Sequence, residues 1–168
     1  MASSNRTYTV TFTATTLTAA MPFFFVNPKA TGPGAALEVI SVELTQSANA
    51  TSAQERIQFF TQASVFPTMV TATPVPTKFG DPASGIVGGT AGAAGTVGIA
   101  GTAVGAGAKT FIKSSAFNVL NGYLWVPVPE ERHTIGIAAT AQGYGIWFPA
   151  GPTTLTGWSF TITYAELI

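Results

Sequence analysis

The sequence contains no cysteine, a single histidine and a single aspartate. Without cysteine, disulfides, thiolate metal sites and cysteine nucleophiles are excluded. Asp81 is the only aspartate, so metal-binding loops that use several aspartates are excluded as well. His133 has no second histidine with which to share a metal ion.

Charge is also scarce. Only 8% of the 168 residues are charged, and seven basic residues balance seven acidic ones. Because no cluster of lysine or arginine could neutralise a run of phosphates, we do not expect a nucleic-acid partner. Aromatic residues (11%) are too abundant for a disordered chain, and the length predicts one domain over residues 1–168. A net charge near zero gives little colloidal repulsion, which suits a subunit that packs against neighbours.

Targeting and membrane-spanning signals are weak. The first residues, MASSNRTYTV, lack a charged region followed by an apolar one, so we expect no signal peptide. Residues 82–108 are uncharged, but leucine, isoleucine, phenylalanine and valine are sparse among glycine, alanine and threonine. We therefore expect a solvated segment rather than a spanning helix, and no membrane partner.

Both ends of the sequence alternate between apolar and hydroxyl residues. This period of two, in TYTVTFTA and GWSFTITYAELI, is typical of half-buried strands. The apolar faces are Tyr8, Val10, Phe12 and Ala14 at the start and Trp158, Phe160, Ile162 and Tyr164 at the end.

Short apolar runs between turn clusters fill the rest of the chain. In SAQERIQFF, Ser52 and Glu55 form a helix-capping pattern, but the alternation that follows favours a strand. Many short strands separated by turn clusters predict an all-β, antiparallel sandwich or barrel. The further predicted strands are residues 23–26, 37–46, 56–63, 69–74, 110–117, 123–128, 134–139 and 144–148.

No stretch carries a complete catalytic or nucleotide-binding motif. GAGAKT resembles the end of a phosphate-binding loop, but Ala108 stands where that motif requires glycine. No GxSxG elbow presents a serine nucleophile. Glu130, Glu131 and His133 adjoin in PEERHT, whereas acid and base pairs normally converge from different segments. We therefore predict a solvated polar loop there, and no enzyme activity, cofactor or metal.

Three aromatic residues are candidates for a subunit interface. Tyr123 and Trp125 alternate with the apolar residues 124, 126 and 128, and Trp147 opposes a second apolar face in YGIWF. A strand that is apolar on both faces is either enclosed in a thick core or covers a partner. Both interpretations stay open for Tyr123, Trp125 and Trp147.

The segment GGTAGAAGTVGIAGTAVGAGAKT repeats glycine at every third position over five turns. A collagen-type run would need proline, which is absent here, and a ribbon of glycine triplets is a lesser alternative. We expect residues 86–108 to be a long Gly/Ala-rich loop between two strands that lies against a neighbouring subunit or shell protein. The residues of this candidate docking loop are Gly89, Gly92, Gly95, Gly98, Gly101 and Gly105.

Several longer strings resemble the small jelly-roll virion proteins that decorate or cement the capsids of tailed bacteriophages. They are ALEVISVELTQSANATSAQERIQ, GDPASGIVGG, NVLNGYLWVPVPEERHTIGI and GYGIWFPAGPTTLTGWSFTITYAEL. The resemblance implies a jelly-roll β-sandwich, made in the host cytoplasm, that forms homotrimers. It also implies docking on the major capsid protein or another virion protein at the capsid surface, without a cofactor.

Two other functions are compatible with the same residues. One is a receptor-binding module of a phage tail tip or fibre, in which the glycine segment would touch the host surface. The other is a jelly-roll carbohydrate-binding domain or lyase.

Overall fold

β-Strands are the dominant secondary structure of the described residues. The computed structural model describes residues 6–14, 17, 22–26, 36–48, 51–63, 70–88, 93–99, 107–136, 143–152 and 156–167. These residues form fourteen strands and one turn of 3₁₀ helix, Pro129–Glu131. The strands are β1 (Arg6–Ala14), β2 (Pro22–Val26), β3 (Ala36–Gln46), β4 (Gln54–Gln62), β5 (Val70–Ala72), β6 (Val75–Pro76), β7 (Val87–Gly88), β8 (Ala93–Ala94), β9 (Val97–Ile99), β10 (Lys109–Asn118), β11 (Tyr123–Trp125), β12 (Thr134–Ile135), β13 (Gly143–Trp147) and β14 (Trp158–Leu167).

The predicted strands correspond to observed ones. β1 and β14 coincide with the two alternating segments at the chain ends. SAQERIQFF contributes to β4, so the alternation outweighs the helix-capping pattern at its start. Three predicted strands are longer than the observed ones: β11 ends at Trp125, β5 ends at Ala72 and β12 ends at Ile135. Residues 69 and 137–139 of these predictions lie outside the described part.

The strands form two large antiparallel sheets. Sheet A has the order β11, β3, β14, β1, β6, and β12 also pairs with β3. Sheet B has the order β10, β4, β13, β2, β9, β5. β7 and β8 make a separate two-stranded ribbon. The prediction of an all-β, antiparallel sandwich is confirmed.

Strands from the two halves of the chain pair in reverse order. β1 pairs with β14, β2 with β13, β3 with β12 and β11, and β4 with β10. Successive pairs alternate between sheet A and sheet B. The chain is therefore arranged as one long antiparallel hairpin that winds around a shared core.

Aromatic side chains from both sheets meet in that core. The apolar face predicted for the last strand is fully buried, from Trp158 to Tyr164. Phe160 of sheet A stacks on Phe23 of sheet B with 4.4 Å between ring centroids, and Trp158 lies 4.9 Å from Phe148. Such offset or tilted ring pairs contribute about 1 kcal/mol each beyond the area they bury.

The opposite face of β1 and β14 is a ladder of hydroxyl groups. Thr11 and Thr161 lie 3.1 Å apart at their hydroxyl oxygens, and Thr13 lies 3.2 Å from Ser159. Directly opposed threonines and serines of this kind stabilise an antiparallel pair. The ladder makes the outer surface of sheet A uncharged along these two strands.

The glycine-rich segment contains strands where we expect a loop. β9 pairs with β2 and β5, so Gly98 lies buried in sheet B between Phe25 and Thr71. Gly95 has a φ of 79°, and a β-carbon there would lie 3.2 Å from the carbonyl oxygen of Ser84. The expectation of a loop is therefore wrong for residues 87–88, 93–94 and 97–99. The remaining glycines of the candidate docking loop lie outside the described residues: Gly89, Gly92, Gly101 and Gly105.

Candidate interaction surfaces

The three candidate interface aromatics lie in two different environments. Tyr123 and Trp125 of β11 are half-buried and pack against the core between the sheets. Trp147 of β13 lies on the outer face of sheet B, away from that core. The structure therefore does not bring the three side chains together into one surface, and their role at a subunit interface stays a prediction.

Trp147 belongs to a surface that we call the aromatic platform, formed by Phe60, Phe111 and Trp147. Phe60 is buried beneath the other two, and its ring centroid lies 5.2 Å from Trp147 and 6.3 Å from Phe111. Phe111 is 52% exposed and stacks on Trp147 at 6.4 Å. The platform therefore presents the exposed ring of Phe111 and the half-buried indole of Trp147 to solvent, with Phe60 buried beneath them.

Strand register explains why the platform forms. Phe59 points into the core, so the next residue, Phe60, points out of sheet B. Gly145 stands opposite Phe60 on β13, so the position that faces Phe60 across this strand pair carries no side chain. The indole N–H of Trp147 donates to Oε1 of Gln58 at 3.1 Å, which fixes the ring.

A second exposed apolar surface begins at Leu124, on the outer face of sheet A, and continues along the segment that follows β11. We call Leu124, Val126 and Val128 the aliphatic stripe; their side chains are 69%, 63% and 56% exposed. Alternate residues of the same segment, Trp125 and Pro127, are half-buried and buried. Of the two apolar sides of this segment, the aliphatic one is therefore the more exposed.

His133 is not the solvated residue that its polar neighbours predict. Its ring lies 4.6 Å from Trp125 and 5.3 Å from Phe59, and its Nδ1 lies 2.9 Å from the hydroxyl of Tyr144. Burial and the positive charge of Lys113 lower the pKa of His133 to about 4. The prediction of a solvated loop is confirmed for Glu130 and Glu131, which are exposed, and is wrong for His133.

Burial also sets the ionisation of the phenols beside His133. It raises the pKa of Tyr144 well above its ordinary value, and the nearby Tyr123 adds to the rise. The pKa of Tyr123 is itself raised by burial. These phenols stay neutral near pH 7, and so does His133. The three side chains therefore pack between the sheets as an uncharged aromatic cluster.

A buried carboxylate near the end of β14 holds the segment before β7. Oε1 of Glu166 accepts hydrogen bonds from Oγ of Ser84 at 2.5 Å and from the backbone N–H of Gly85 at 2.8 Å. Ser84 also bonds the Tyr164 hydroxyl at 2.8 Å. Because both Ser84 and Glu166 are buried, this pair tethers the chain and is not open to a substrate.

Local sequence patterns do not reveal this tether, because Ser84 and Glu166 are 82 residues apart. The one usable signal is that Glu166 continues the buried face of β14, two residues after Tyr164. Within the described ranges, no three side chains of histidine, aspartate or glutamate come together as a metal site. The same ranges contain no helix long and apolar enough to cross a bilayer.

Comparisons with protein-family models, with curated proteins and with solved structures found no match. The function of the aromatic platform and the aliphatic stripe is therefore inferred from their own geometry. Two exposed apolar surfaces, one aromatic and one aliphatic, lie on outer faces of different sheets. Contiguous apolar surface of this kind marks sites of association.

Proposed function

We propose that this chain is a non-enzymatic structural protein of a virion, which decorates or cements a tailed-phage capsid by self-association and docking on the shell. The observation that carries the proposal is the nested pairing of the strands. Apart from β5, β6 and β9, paired strands alternate between the sheets, with β1, β14, β3, β11 and β12 in one and β2, β13, β4 and β10 in the other, and this nesting supports a jelly-roll arrangement. Jelly rolls are common among viral capsid and lectin domains.

The surface composition supports association rather than catalysis. Few charges and a net charge of zero leave little repulsion between copies. The aromatic platform and the aliphatic stripe add apolar area that a lone monomer would leave in water. The sequence strings quoted above resemble decoration proteins. This resemblance implies that the chain assembles on the capsid and that it forms a trimer.

The location and copy number of the chain on particles test this function. We expect antibodies against the purified chain to label the capsid surface, and quantitative gels to show a copy number comparable with that of the shell protein. Labelling confined to the tail tip, with few copies per particle, would contradict the proposal and support a receptor-binding module.

Carbohydrate binding is the second candidate, and the aromatic platform favours it. The half-buried indole of Trp147 beside the exposed ring of Phe111 offers a flat apolar surface of the kind on which sugar rings stack. Lys109 lies over the indole, with 5.7 Å between Nζ and the ring centroid, and would have to move for a sugar to use that face. Glycan-array binding that is lost in Trp147→Ala would support this candidate over capsid docking.

A further inference from the structure

The aliphatic stripe is bordered by carboxylates. Glu43 stands opposite Leu124 across the β3–β11 pair and is exposed. Glu130 and Glu131, also exposed, follow Val128 in the 3₁₀ turn. The nearby Arg132 lies 3.6 Å from Glu38 in an ion pair, so these two residues add no net charge. The border of the stripe is therefore negative.

The aromatic platform is bordered by cations. Lys109 lies over the ring of Trp147. Arg56 is exposed and shares the outer face of β4 with Gln58, because residues two apart on a strand point the same way. The intervening carboxylate, Glu55, is buried on the opposite face of the strand. The border of the platform is therefore positive.

We propose that the aliphatic stripe of one copy docks on the aromatic platform of a second copy. The inference deepens the proposed function, because it rests on self-association and names the surfaces involved. An apolar centre within a charged rim is the usual layout of a protein interface. Opposite rim charges favour this pairing and disfavour stripe on stripe or platform on platform.

The contact is heterologous, because it joins two different surfaces of the chain. The stripe lies outside sheet A and the platform outside sheet B, so each copy keeps one free surface after one contact forms. A heterologous contact produces a ring when the rotation between copies closes. A trimeric ring is the smallest such assembly after a dimer and agrees with the resemblance described above.

Single substitutions in each surface test the pairing. Val126→Asp places a carboxylate in the stripe, and Phe111→Asp places one in the platform. Val75→Asp is the matched control, since Val75 is 64% exposed on β6, outside both surfaces. By sedimentation velocity, we expect the first two to weaken self-association about tenfold or more and the control to change it by less than about twofold. Circular dichroism melts establish that each variant is folded.

Mixing the two defective variants distinguishes a heterologous contact from an isologous one. Each variant keeps one intact surface, so an equimolar mixture of Val126→Asp and Phe111→Asp should form dimers that neither forms alone. If like surfaces paired, one variant would stay associated by itself and mixing would restore nothing. That result would overturn the inference.

A charge exchange provides a second test that leaves the apolar groups in place. Glu43→Lys should weaken assembly, and adding Arg56→Glu in the same chain should restore part of it.

If the wild type is oligomeric and neither Val126→Asp nor Phe111→Asp weakens the oligomer, the inference is overturned, whereas self-association itself is supported. A wild type that stays monomeric at every concentration would also overturn the inference. Co-sedimentation with capsids would then test separately whether the chain docks on the shell.

Discussion

Nδ1 of His133 lies 2.9 Å from the hydroxyl oxygen of Tyr144, and this hydrogen bond joins the two sheets. His133 immediately precedes β12, and its carbonyl oxygen accepts a hydrogen bond from the backbone of Val39 in sheet A. Tyr144 belongs to β13 in sheet B and is completely buried. A residue from a charged turn thus joins sheet A to an interior strand of sheet B.

His133→Ala is expected to lower the free energy of unfolding by about 1–3 kcal/mol. The change leaves the buried hydroxyl of Tyr144 without this partner and opens a gap beside Trp125. Glu130→Gln and Glu131→Gln are the controls, and each should change stability by less than about 0.5 kcal/mol because both side chains are exposed. Urea denaturation measures all three. Equal stability of the three variants would show that the hydrogen bond contributes nothing.

Stability is expected to fall as the pH drops from about 6.5 to about 4. Burial and Lys113 lower the pKa of His133 from 6.5 to about 4, so the unfolded chain binds more protons than the folded one in this window. The free energy of unfolding therefore rises with pH there, and the contribution of His133 to the slope ends below about pH 4. His133→Phe removes the titrating group but keeps a ring, so its pH profile should be flatter. Parallel profiles for the two proteins would assign the dependence to other groups.

Ser84→Ala is expected to cost about 2–3 kcal/mol of stability. The substitution removes the hydroxyl that donates to the buried Glu166 and bonds the hydroxyl of Tyr164. A buried carboxylate that loses a hydrogen-bond donor carries a large desolvation cost. Ser114→Ala on β10 is the matched control, since Ser114 is exposed. Thermal or urea unfolding that does not distinguish the two variants would contradict a tethering role.

Trp158→Ala is expected to destabilise the protein by about 3–5 kcal/mol, the usual cost of deleting a large buried aromatic side chain. Trp158 is fully buried and contacts Phe148 across the two sheets. Val75→Ala on the exposed β6 should change stability by less than about 0.5 kcal/mol. A small loss at Trp158, measured by urea denaturation, would mean that the core reorganises to fill the space.

Alternation predicts the parts of the fold in which one face is apolar and the other polar. β1 and β14 are such strands, and so is β4 once Phe60 is recognised as an outward residue. β7, β8 and β9 escape prediction because glycine and alanine give no contrast between faces, and β9 pairs with β2 and β5, which are distant in sequence. Local sequence carries no signal for such pairing.

The candidate surfaces could be predicted only in part. The sequence shows that both faces around Trp125 and around Trp147 are apolar. It does not show which face meets water, because for Trp125 this depends on the position of β11 at the edge of sheet A. The charged sequence neighbours of His133 predict a solvent-exposed residue. Its neighbours in space, Phe59 and Tyr144, come from strands of the other sheet. Burial of a polar residue by distant strands is a tertiary effect that spacing does not reveal.

Replacing residues 89–105 with a short Gly-Ser linker is expected to destabilise the fold strongly. An unstructured excursion would tolerate the change, since loop length adds little to closure entropy. This replacement, however, removes β9, where Val97 and Ile99 are buried and the backbone pairs with β2 and β5. Ile99→Ala keeps the backbone and should cost about 2 kcal/mol or more, which separates side-chain burial from strand pairing. A linker variant that melts within a few degrees of the parent would show that sheet B does not need β9.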